Sequence, residues 1–483
     1  MDSPSSLRQF SNIIAQAVTY IEAEYAKASA PLPSLDESFN PTTPAEAVGM
    51  QPVAFAASSI IIAAAAQITY HHGQQPGARD YQQFYHLSSC LQAASALDVV
   101  EILREGGLER SRTDPDKLGT PPNYMRRSNP SQPECCLLAT YRIFGEITPD
   151  VFTNNRISSV IDKWKQSHLL FESAAEKFTG TSGLGDFLEH LTDEGFKSSA
   201  YMTDALLDPA TASSQEPTAT PFSHDFSTDA PLFAWYEIPE NKDRLARLAS
   251  GRPGLRSSAR RTRFYSDQLP KNAVVIDVSG GTGSTSLIIA KTTPSLNIVI
   301  QDRAPVIEQS KANWAEHFKS HVDSRVVELQ VQDFFAPQPI KNADVVLPRQ
   351  IVHDWPDGAV IKILAQLRAA ATPTTKLIIV DQIIPTPPQA TRSSTPSPAQ
   401  CGLPRPPPCS ATWAQRAPFL TLHGIAGLVI PICDAAMQMY APLNGRERTM
   451  GGFVDVCGKA GRKIVQVYHL PGSLSSKIMA APG

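Results

Sequence analysis

A histidine and two acidic residues in the C-terminal half carry side chains that can remove a proton. His353 follows the apolar run 343–348, Asp381 ends the run LIIVD, and Glu447 lies within NGRERT (444–449). An imidazole titrates near neutral pH, which suits general base catalysis, and a neighbouring carboxylate can fix its tautomer. Either acid could orient the ring. A lone histidine is more often structural, but these surroundings favour a base that deprotonates a hydroxyl group.

A glycine-rich turn at 274–286, VVIDVSGGTGSTS, lies between an apolar run and the start of a helix. Gly280, Gly281 and Gly283 allow the backbone to approach a ligand closely. Asp277 precedes the turn, and an acid there suits a cationic amino-acid ligand better than a pyrophosphate. The partial GxGxxG match is a weak signal by itself, because a plain strand–helix connection can look the same.

The next two apolar runs also end in residues that could bind a nucleoside. Asp302 ends NIVIQD and could accept hydrogen bonds from ribose hydroxyls. In QDFF (332–335), Asp333 could accept a hydrogen bond from an adenine amino group, and Phe334 could pack on the ring. The spacing to Asp302 does not separate NAD from S-adenosylmethionine. The acid before the glycines, QDFF and the later IVHDWPD together favour S-adenosylmethionine.

Short apolar runs alternate with helical patterns from residue 272 onward. The runs cover 273–278, 297–302, 326–331, 343–348 and 376–384. Such alternation predicts an α/β domain with a doubly wound, mostly parallel sheet, whose ligands bind at the carboxyl ends of the strands. The chemistry-bearing residues stand at those ends.

The N-terminal half is mostly helical in pattern and ends in a Pro/Ser/Thr/Asp-rich stretch at 208–230. We therefore predict two domains, 1–230 and 231–483. Within the second, residues 385–409 contain nine prolines, which no helix or central strand can accommodate. We predict an irregular insertion over 385–430, either a natural loop or a translated intron.

Composition argues against several classes of partner. The 483 residues carry a formal net charge of −3, so no global attraction draws the chain to nucleic acid or an anionic membrane. The seven cysteines form no CxxC pair, which argues against a zinc site and fits a reducing compartment. The start MDSPSSLRQF lacks a signal-peptide layout, and the apolar run 53–68 is too short for a membrane span. We expect a cytoplasmic protein that binds no metal.

These motifs resemble those of the plant and fungal small-molecule O-methyltransferases of the caffeate, flavonoid and sterigmatocystin type. VVIDVSGGTGSTS is similar to the family's DVGGGxG, and NIVIQDRAPVI to QDLPxVI. LPRQIVHDWPD resembles LRxILHDWPD, and LNGRERT resembles NGKERT. The resemblance covers most of 80–480, and the HDWPD and NGRERT pair is its specific part.

The resemblance implies a Rossmann-like methyltransferase domain, a winged-helix-like dimerisation domain, S-adenosylmethionine as cofactor and a homodimer. It implies a small aromatic or polyketide acceptor, as in fungal-type secondary metabolism. Its general base matches His353, flanked by Asp381 and Glu447. The matching cofactor-binding positions are Asp277, Gly280, Gly281, Gly283, Asp302, Asp333, Phe334 and Arg349.

Three departures from the family pattern stand out. Ser279 occupies a position where the family usually has glycine, and Asp381 replaces the more usual, longer Glu. Asp381 and Glu447 lie 66 residues apart, which is longer than in the family. An alternative function is therefore a catalytically impaired relative that binds the cofactor and acts as the partner of a related enzyme. An NAD-dependent oxidoreductase is a third reading, but it leaves HDWPD unexplained.

Overall fold

The structure is a computed structural model that describes residues 5–72, 84–105, 133–149, 151–172, 177–251, 269–384, 436–469 and 475–483. The predicted insertion at 385–430 lies outside these residues. Contacts between Cα atoms divide the chain into two units. The first comprises Met1–Ser58, Gln67–Ser214 and Thr218–Arg256, and the second comprises Ser59–Ala66, Gln215–Pro217 and Ser257–Gly483.

The first unit is mostly helical and contains one two-stranded antiparallel sheet, β1 paired with β2. Its helices and strands in chain order are α1 (Ser6–Lys27), α2 (Pro44–Gly49), α3 (Pro52–His72), α4 (Phe84–Ala96), α5 (Val99–Arg104), α6 (Pro133–Thr140), β1 (Phe144–Thr148), β2 (Val151–Asn154), α7 (Ser167–Glu172), α8 (Leu184–His190), α9 (Phe196–Ala200), α10 (Met202–Leu207), α11 (Pro221–Asp225), α12 (Leu232–Tyr236) and α13 (Lys242–Gly251). The middle of α3, Ser59–Ala66, is counted with the second unit. In the part of the chain that is described, no helix combines the length and apolarity that crossing a bilayer requires.

Helix α13, which follows residue 230 in the sequence, belongs to the first unit. Arg247 on α13 is buried and pairs with two acids of a π-helical turn that follows α8: its Nη2 lies 2.8 Å from Asp193 Oδ2 and 2.5 Å from Glu194 Oε1. Breaking such a buried pair would leave a charge uncompensated. These ion pairs therefore tie the segment after residue 230 to the first unit.

The second unit contains an eight-stranded sheet, and the predicted doubly wound α/β class is confirmed. The strand order is β5-β4-β3-β6-β7-β10-β9, with β8 beside β7. β3 to β7 run parallel, whereas β10 is antiparallel to β7 and to β9. The elements are β3 (Val274–Val278), α14 (Ser284–Thr292), β4 (Asn297–Asp302), α15 (Ala304–His317), α16 (Lys319–Asp323), β5 (Val327–Val331), β6 (Val345–Pro348), α17 (Asp357–Ala369), β7 (Lys376–Ile384), β8 (Arg448–Thr449), α18 (Met450–Lys459), β9 (Arg462–His469) and β10 (Ser475–Pro482).

Both faces of the central strands β3, β4, β6 and β7 are buried, which explains why these strands are almost continuously apolar. On β7, Leu377 and Ile379 join the apolar cluster that includes α17 and α18. The alternating residues Ile378 and Val380 join the cluster on the other face, which includes Trp314 of α15. Successive side chains of a strand point to opposite faces, so one run of apolar residues supplies both cores.

Candidate functional site

The predicted site residues of the second unit gather at the carboxyl ends of the parallel strands. β3 ends before the glycine turn, β4 ends at Asp302, and β5 leads into Asp333. β6 leads into a 3₁₀ turn, Val352–Asp354, that contains His353. Parallel strands bring these ends to one edge of the sheet, where open α/β folds bind their ligands.

The glycines of the turn are required by close packing. A Cβ on Gly280 would lie 2.8 Å from the Asp277 carboxylate and 2.9 Å from Ile300. Gly283 has a φ of +82°, and a Cβ there would lie 2.6 Å from the side chains of Ile300 and Trp314. Glycine tolerates both conditions, so at positions 280 and 283 the backbone packs against its neighbours with no side chain between them.

Ser279, where the family usually has glycine, has a φ of +52°. This left-handed conformation costs a non-glycine residue about 1–2 kcal/mol. Its hydroxyl donates only a long hydrogen bond of 3.4 Å to Asp302 Oδ2. The serine is therefore strained, with a weak compensating contact.

We expect Ser279→Gly to raise the free energy of unfolding by about 0.5–1 kcal/mol, because relief of the left-handed strain exceeds the added entropy of the unfolded chain. Thermal and denaturant unfolding measure this change. Ser279→Ala is the matched control, since it removes the hydroxyl but keeps the strain. A glycine variant no more stable than the alanine variant would contradict the expectation.

Asp277 lies fully inside the sheet beneath the glycine turn, with 1 % of its surface exposed. Ser286 on α14 donates a 2.6 Å hydrogen bond from Oγ to Asp277 Oδ2. Burial raises the pKa of Asp277 to about 6, although the Ser286 hydrogen bond and the charge of Arg349 oppose the shift. A buried carboxylate held in this way is stabilised by any cation that binds beside it.

Asp302 is tied to the same turn by backbone hydrogen bonds. Its Oδ2 accepts from the Gly281 amide at 2.9 Å, and its Oδ1 accepts from the Arg303 amide at 2.8 Å. Oδ1 keeps a second lone pair for a ligand hydroxyl, and a second hydroxyl could replace the long Ser279 hydrogen bond at Oδ2. The backbone bonds fix the position of the carboxylate.

Asp333 and Phe334 follow β5 and lie next to the end of β4, where the Gln332 amide donates to the Asp302 carbonyl. Asp333 is exposed, and its Oδ1 accepts from the Phe335 amide at 2.9 Å. The Phe334 ring is half-buried and packs edge-on against Trp355, with centroids 5.8 Å apart. A carboxylate and an aromatic ring thus stand together at this edge.

Arg349 follows β6 and donates a 2.9 Å hydrogen bond from Nη1 to Thr285 Oγ1 on α14. Burial lowers the pKa of Arg349, and the charges of Asp277 and Asp381 oppose this effect. The Arg349 guanidinium therefore interacts electrostatically both with Asp277 at the glycine turn and with Asp381 beside His353. It lies between the cofactor-binding residues and the proposed base.

The His353 ring is held by an acid on a distant segment. Nδ1 lies 2.7 Å from Glu447 Oε1 in a hydrogen bond. Asp381 acts differently: its Oδ2 accepts from the His353 backbone amide at 3.2 Å, and its Oδ1 lies 3.2 Å from Nδ1 in an ion pair. The nearest acidic oxygen to Nε2 is Asp354 Oδ1, at 3.4 Å. Nδ1 is thus engaged, and 11 % of the ring side chain stays exposed.

The charges around His353 change its proton affinity. Burial by itself lowers the pKa of the imidazole, but Asp381, Asp354 and Glu447 reverse this and raise it to about 10. Burial also raises the pKa of Asp381 to about 7, with the histidine opposing and the other two acids reinforcing the shift. His353 is therefore a much stronger base than a free imidazole.

His353, Asp381 and Glu447 are also the one group of side chains among the described residues with donor atoms close enough together for a metal ion, within 4.8 Å. The 2.7 Å contact between Nδ1 and Glu447 Oε1 is shorter than the roughly 3.3 Å that separates two ligands of one tetrahedral zinc ion. The contact therefore favours a shared proton over a shared metal.

Sequence reasoning missed the residues that hold the glycine turn in place. Ser310 on α15 donates to the Gly281 carbonyl at 2.8 Å, and Trp314 Nε1 donates to the Thr282 carbonyl at 3.0 Å. Helix α14, strand β4 and the first part of α15 separate both residues from the turn, and no sequence motif contains them. Their spacing of four residues, which places them on one face of a helix, was the only sequence signal.

Comparisons with known proteins agree with the chemistry of this edge. A family model described as an O-methyltransferase domain matches residues 257–397. The chain is similar to an O-methyltransferase of Armillaria gallica, with 33 % identity over 99 % of this chain and 100 % of that one. It is also similar to a 4-O-methyltransferase of Phanerochaete chrysosporium, with 31 % identity over 96 % of each chain. The fold matches human N-acetylserotonin methyltransferase in complex with S-adenosylmethionine, with 17 % identity, a TM-score of 0.55 and coverage of 84 % and 96 %.

Proposed function

The chain belongs to the S-adenosylmethionine-dependent O-methyltransferases, and on that premise we propose that it methylates a phenolic or polyketide-type hydroxyl in fungal-type secondary metabolism, with His353 as the general base. The observation that carries the proposal is the His353–Glu447 hydrogen bond at the sheet edge beside the glycine turn. It fixes Nδ1 as the occupied nitrogen and leaves Nε2 to take a proton.

The residues of the sheet edge fit the cofactor. When bound, S-adenosylmethionine supplies a methyl group already activated by a positively charged sulfur, so the chain needs no nucleophile of its own. Two buried carboxylates, Asp277 and Asp302, suit an ammonium group and a pair of ribose hydroxyls. Gly280, Gly281 and Gly283 carry no side chain that would keep a ligand away from the backbone at these positions. Asp333 and Phe334 would hold the adenine, and Arg349 would complete the set beside Thr285.

His353 would remove the acceptor's proton through Nε2. A phenol has a pKa of about 10, so transfer to an imidazole of ordinary pKa is uphill by about 5 kcal/mol. Because the surrounding acids raise the pKa of His353 to about 10, the transfer becomes nearly thermoneutral. Glu447 keeps the imidazolium that results paired. The protein therefore contributes by orienting the His353 imidazole and by bringing its pKa close to that of the phenol.

The proposed activity is tested with the purified full chain, S-adenosylmethionine carrying a labelled methyl group, and a panel of phenols and polyketide phenols. We expect label in the product of at least one phenol. The matched control is the methyl ether of the same phenol, which has no hydroxyl to accept label. Stoichiometric cofactor binding without transfer to any phenol would overturn the activity. It would favour the alternative, a catalytically impaired homologue that serves as a partner protein.

We expect Asp277→Asn to weaken cofactor binding about 100-fold and to stabilise the ligand-free protein. The affinity falls because a charge-assisted contact is lost. At pH 8 the wild type bears an ionised Asp277 whose folded pKa is about 6, above its unfolded value, which costs up to about 3 kcal/mol. This cost fades as the pH falls from 6 to 4, so the stability gain of the variant should fade over the same range.

Calorimetry with S-adenosylmethionine and unfolding from pH 4 to 8 measure both effects. Asp344→Asn is the control, because Asp344 accepts a hydrogen bond from the Val274 amide at the opposite end of β3. Unchanged cofactor affinity in Asp277→Asn would remove this residue from the binding site.

We further propose that the first unit pairs two chains as a homodimer and that the protein acts in the cytoplasm. The proposal rests on the resemblance of the helical first unit, with its β1–β2 hairpin, to the family's dimerisation domain. Sedimentation of the full chain tests it: we expect a mass twice the 52.4 kDa of one chain. A monomer at micromolar concentration would contradict it.

A further inference from the structure

Arg448, the buried arginine that follows Glu447, has a structural role that the sequence motifs do not indicate. Arg448 is the first residue of β8, and its side chain is 1 % exposed. Its guanidinium donates to the Val352 carbonyl from Nη1 and to the Trp355 carbonyl from Nη2, both at 2.7 Å. Its Nε donates to Asp357 Oδ1 at 2.9 Å. Nη1 also donates to the Arg446 carbonyl at 2.9 Å, so the rigid guanidinium joins one short loop, the start of α17 and its own segment.

That loop is the one that carries the proposed base. The two carbonyls bound by Arg448 belong to residues 352 and 355, on either side of His353 and Asp354. The adjoining segment approaches from the same side, because the Arg446 amide donates to the His353 carbonyl at 2.7 Å. A Cβ on Gly445 would lie 2.5 Å from that carbonyl oxygen, so the approach requires a glycine.

Glu447 and Arg448 are consecutive residues with different targets. Glu447 reaches the imidazole Nδ1, whereas Arg448 reaches the loop backbone. Neighbouring side chains of an extended segment point to opposite sides, which allows one segment to hold both the ring and the main chain. The pairing of β8 with β7, Ile383 beside Arg448, anchors this segment two residues after Asp381.

We propose that Arg448 is a positioning residue for the general base: it clamps the 352–355 loop so that the His353 ring stays in contact with Glu447 and Asp381. This inference rests on the proposed function for its catalytic consequence, but the clamp itself is a structural claim. Losing the guanidinium would leave two carbonyls without their donor and free the loop to move.

The direction in which the pKa of His353 changes when Arg448 is removed distinguishes a positioning role from a simple charge effect. Removing a positive charge near an imidazolium raises its pKa, because a like charge is lost. Releasing the ring from its acids lowers the pKa. If Arg448 acts by position, Arg448→Met should lower the pKa of His353 by about one unit or more. A simple charge effect would raise it.

Nitrogen NMR of the full chain with labelled histidine measures this pKa without turnover, with the His353 signal assigned by its loss in His353→Gln. Arg462→Met is the matched control: Arg462 is an equally buried arginine of the second unit, and its Nη2 donates to the Leu367 carbonyl at 3.0 Å. In the Arg462→Met variant we expect the pKa of His353 to stay within about 0.3 units of the wild-type value. A pKa that is unchanged or raised in Arg448→Met would overturn the clamp.

If the wild type transfers methyl groups, steady-state kinetics provide a second measurement. We expect kcat per cofactor-binding site to fall about 10- to 100-fold in Arg448→Met, as for a base displaced by roughly 1 Å, and by less in Arg448→Lys. The dissociation constant of S-adenosylmethionine should change less than about threefold. Equal losses of kcat in the Arg448 and Arg462 variants would overturn the positioning role. If the wild type transfers no methyl group, only the proposed function is contradicted. The NMR measurement of the His353 pKa needs no turnover and still tests the clamp.

Asp357→Ala is the variant to use if Arg448→Met does not fold. Asp357 is one-third exposed and binds the guanidinium from the start of α17. Its removal should loosen the clamp partly and lower the pKa of His353 by a smaller amount than Arg448→Met does. Because the lost negative charge also lowers this pKa, the clamp predicts that kcat falls in this variant as well. No shift in this variant would count against the clamp.

Discussion

Replacing His353 by alanine is expected to lower kcat about 10²- to 10⁴-fold, the range that general bases contribute, while the cofactor dissociation constant changes less than about threefold. The reason is geometric. Nδ1 is occupied by Glu447 and the ring lies at the strand ends beside the glycine turn, whereas Asp277 and Asp302 are held by the Ser286 hydroxyl and the Gly281 amide. Proton removal and cofactor binding should therefore separate in this variant.

The matched control is His469→Ala, which removes a histidine of β9 in the same unit whose Nδ1 lies 3.0 Å from Ser476 Oγ. We expect its kcat within about twofold of the wild type. Initial rates with the best phenol and calorimetry with S-adenosylmethionine measure the two quantities. Full turnover in His353→Ala would remove it from the mechanism, whatever the outcome for the fold.

The pH profile follows from the same residue. Because the three acids raise the pKa of His353 to about 10, the neutral base is the minor form at pH 7 in the ligand-free chain. A bound sulfonium is a like charge and lowers that pKa. We expect kcat/KM for the acceptor to rise with pH above neutrality and to level off at or below pH 10. A profile that is flat from pH 6 to 10 would contradict a histidine base.

The sheet and the location of the site could be predicted from the sequence because their signals are local. Each parallel strand is a short apolar run, and most predicted site residues end or closely follow one, as Asp302 and His353 do. β9 and β10 were not predicted. They form the antiparallel part of the sheet, and their sequences, RKIVQVYH and SSKIMAAP, contain polar residues such as Lys477, which is buried where β10 pairs with β7.

Local patterns fail where a tertiary contact overrides them. Residues 84–104 have a continuous helical pattern, yet the chain breaks into α4 and α5 at Asp98, whose φ is +56°. Asp98 there meets Lys163 and Lys177 at 3.2 and 3.3 Å. Those lysines lie more than 60 residues away, so no window of sequence around the break contains the cause.

The sequence could not decide which of the two acids, Asp381 or Glu447, binds the His353 ring. Spacing allowed either acid to orient the ring, and the shorter side chain of Asp381 placed its reach in question. The structure gives the ring hydrogen bond to Glu447 and the backbone amide to Asp381. This follows from strand geometry: β7 carries Asp381 beside the loop backbone, whereas Glu447 enters from β8.

We therefore expect Glu447→Gln and Asp381→Asn to differ sharply. In Glu447→Gln the amide can donate to Nδ1, which selects the tautomer with a proton on Nε2 and blocks the base, and the imidazolium loses its charged partner. A fall in kcat of about 10²- to 10⁴-fold follows, as for other orienting carboxylates. In Asp381→Asn the amide oxygen still accepts from the His353 backbone. Since burial already raises the pKa of Asp381 to about 7, a neutral isostere costs little, and we expect a loss of less than about tenfold.

The pH profiles of the two variants make the comparison sharper. Each loses one charge that holds the pKa of His353 high, so the acidic limb of kcat/KM should move to lower pH in both. Only Glu447→Gln should also lose most of its limiting rate, because it alone removes the ring's hydrogen-bond acceptor. Equal limiting rates in the two variants would mean that the acids act through charge alone. A greater loss in Asp381→Asn would mean that the backbone anchor, and not the ring contact, governs where the base stands.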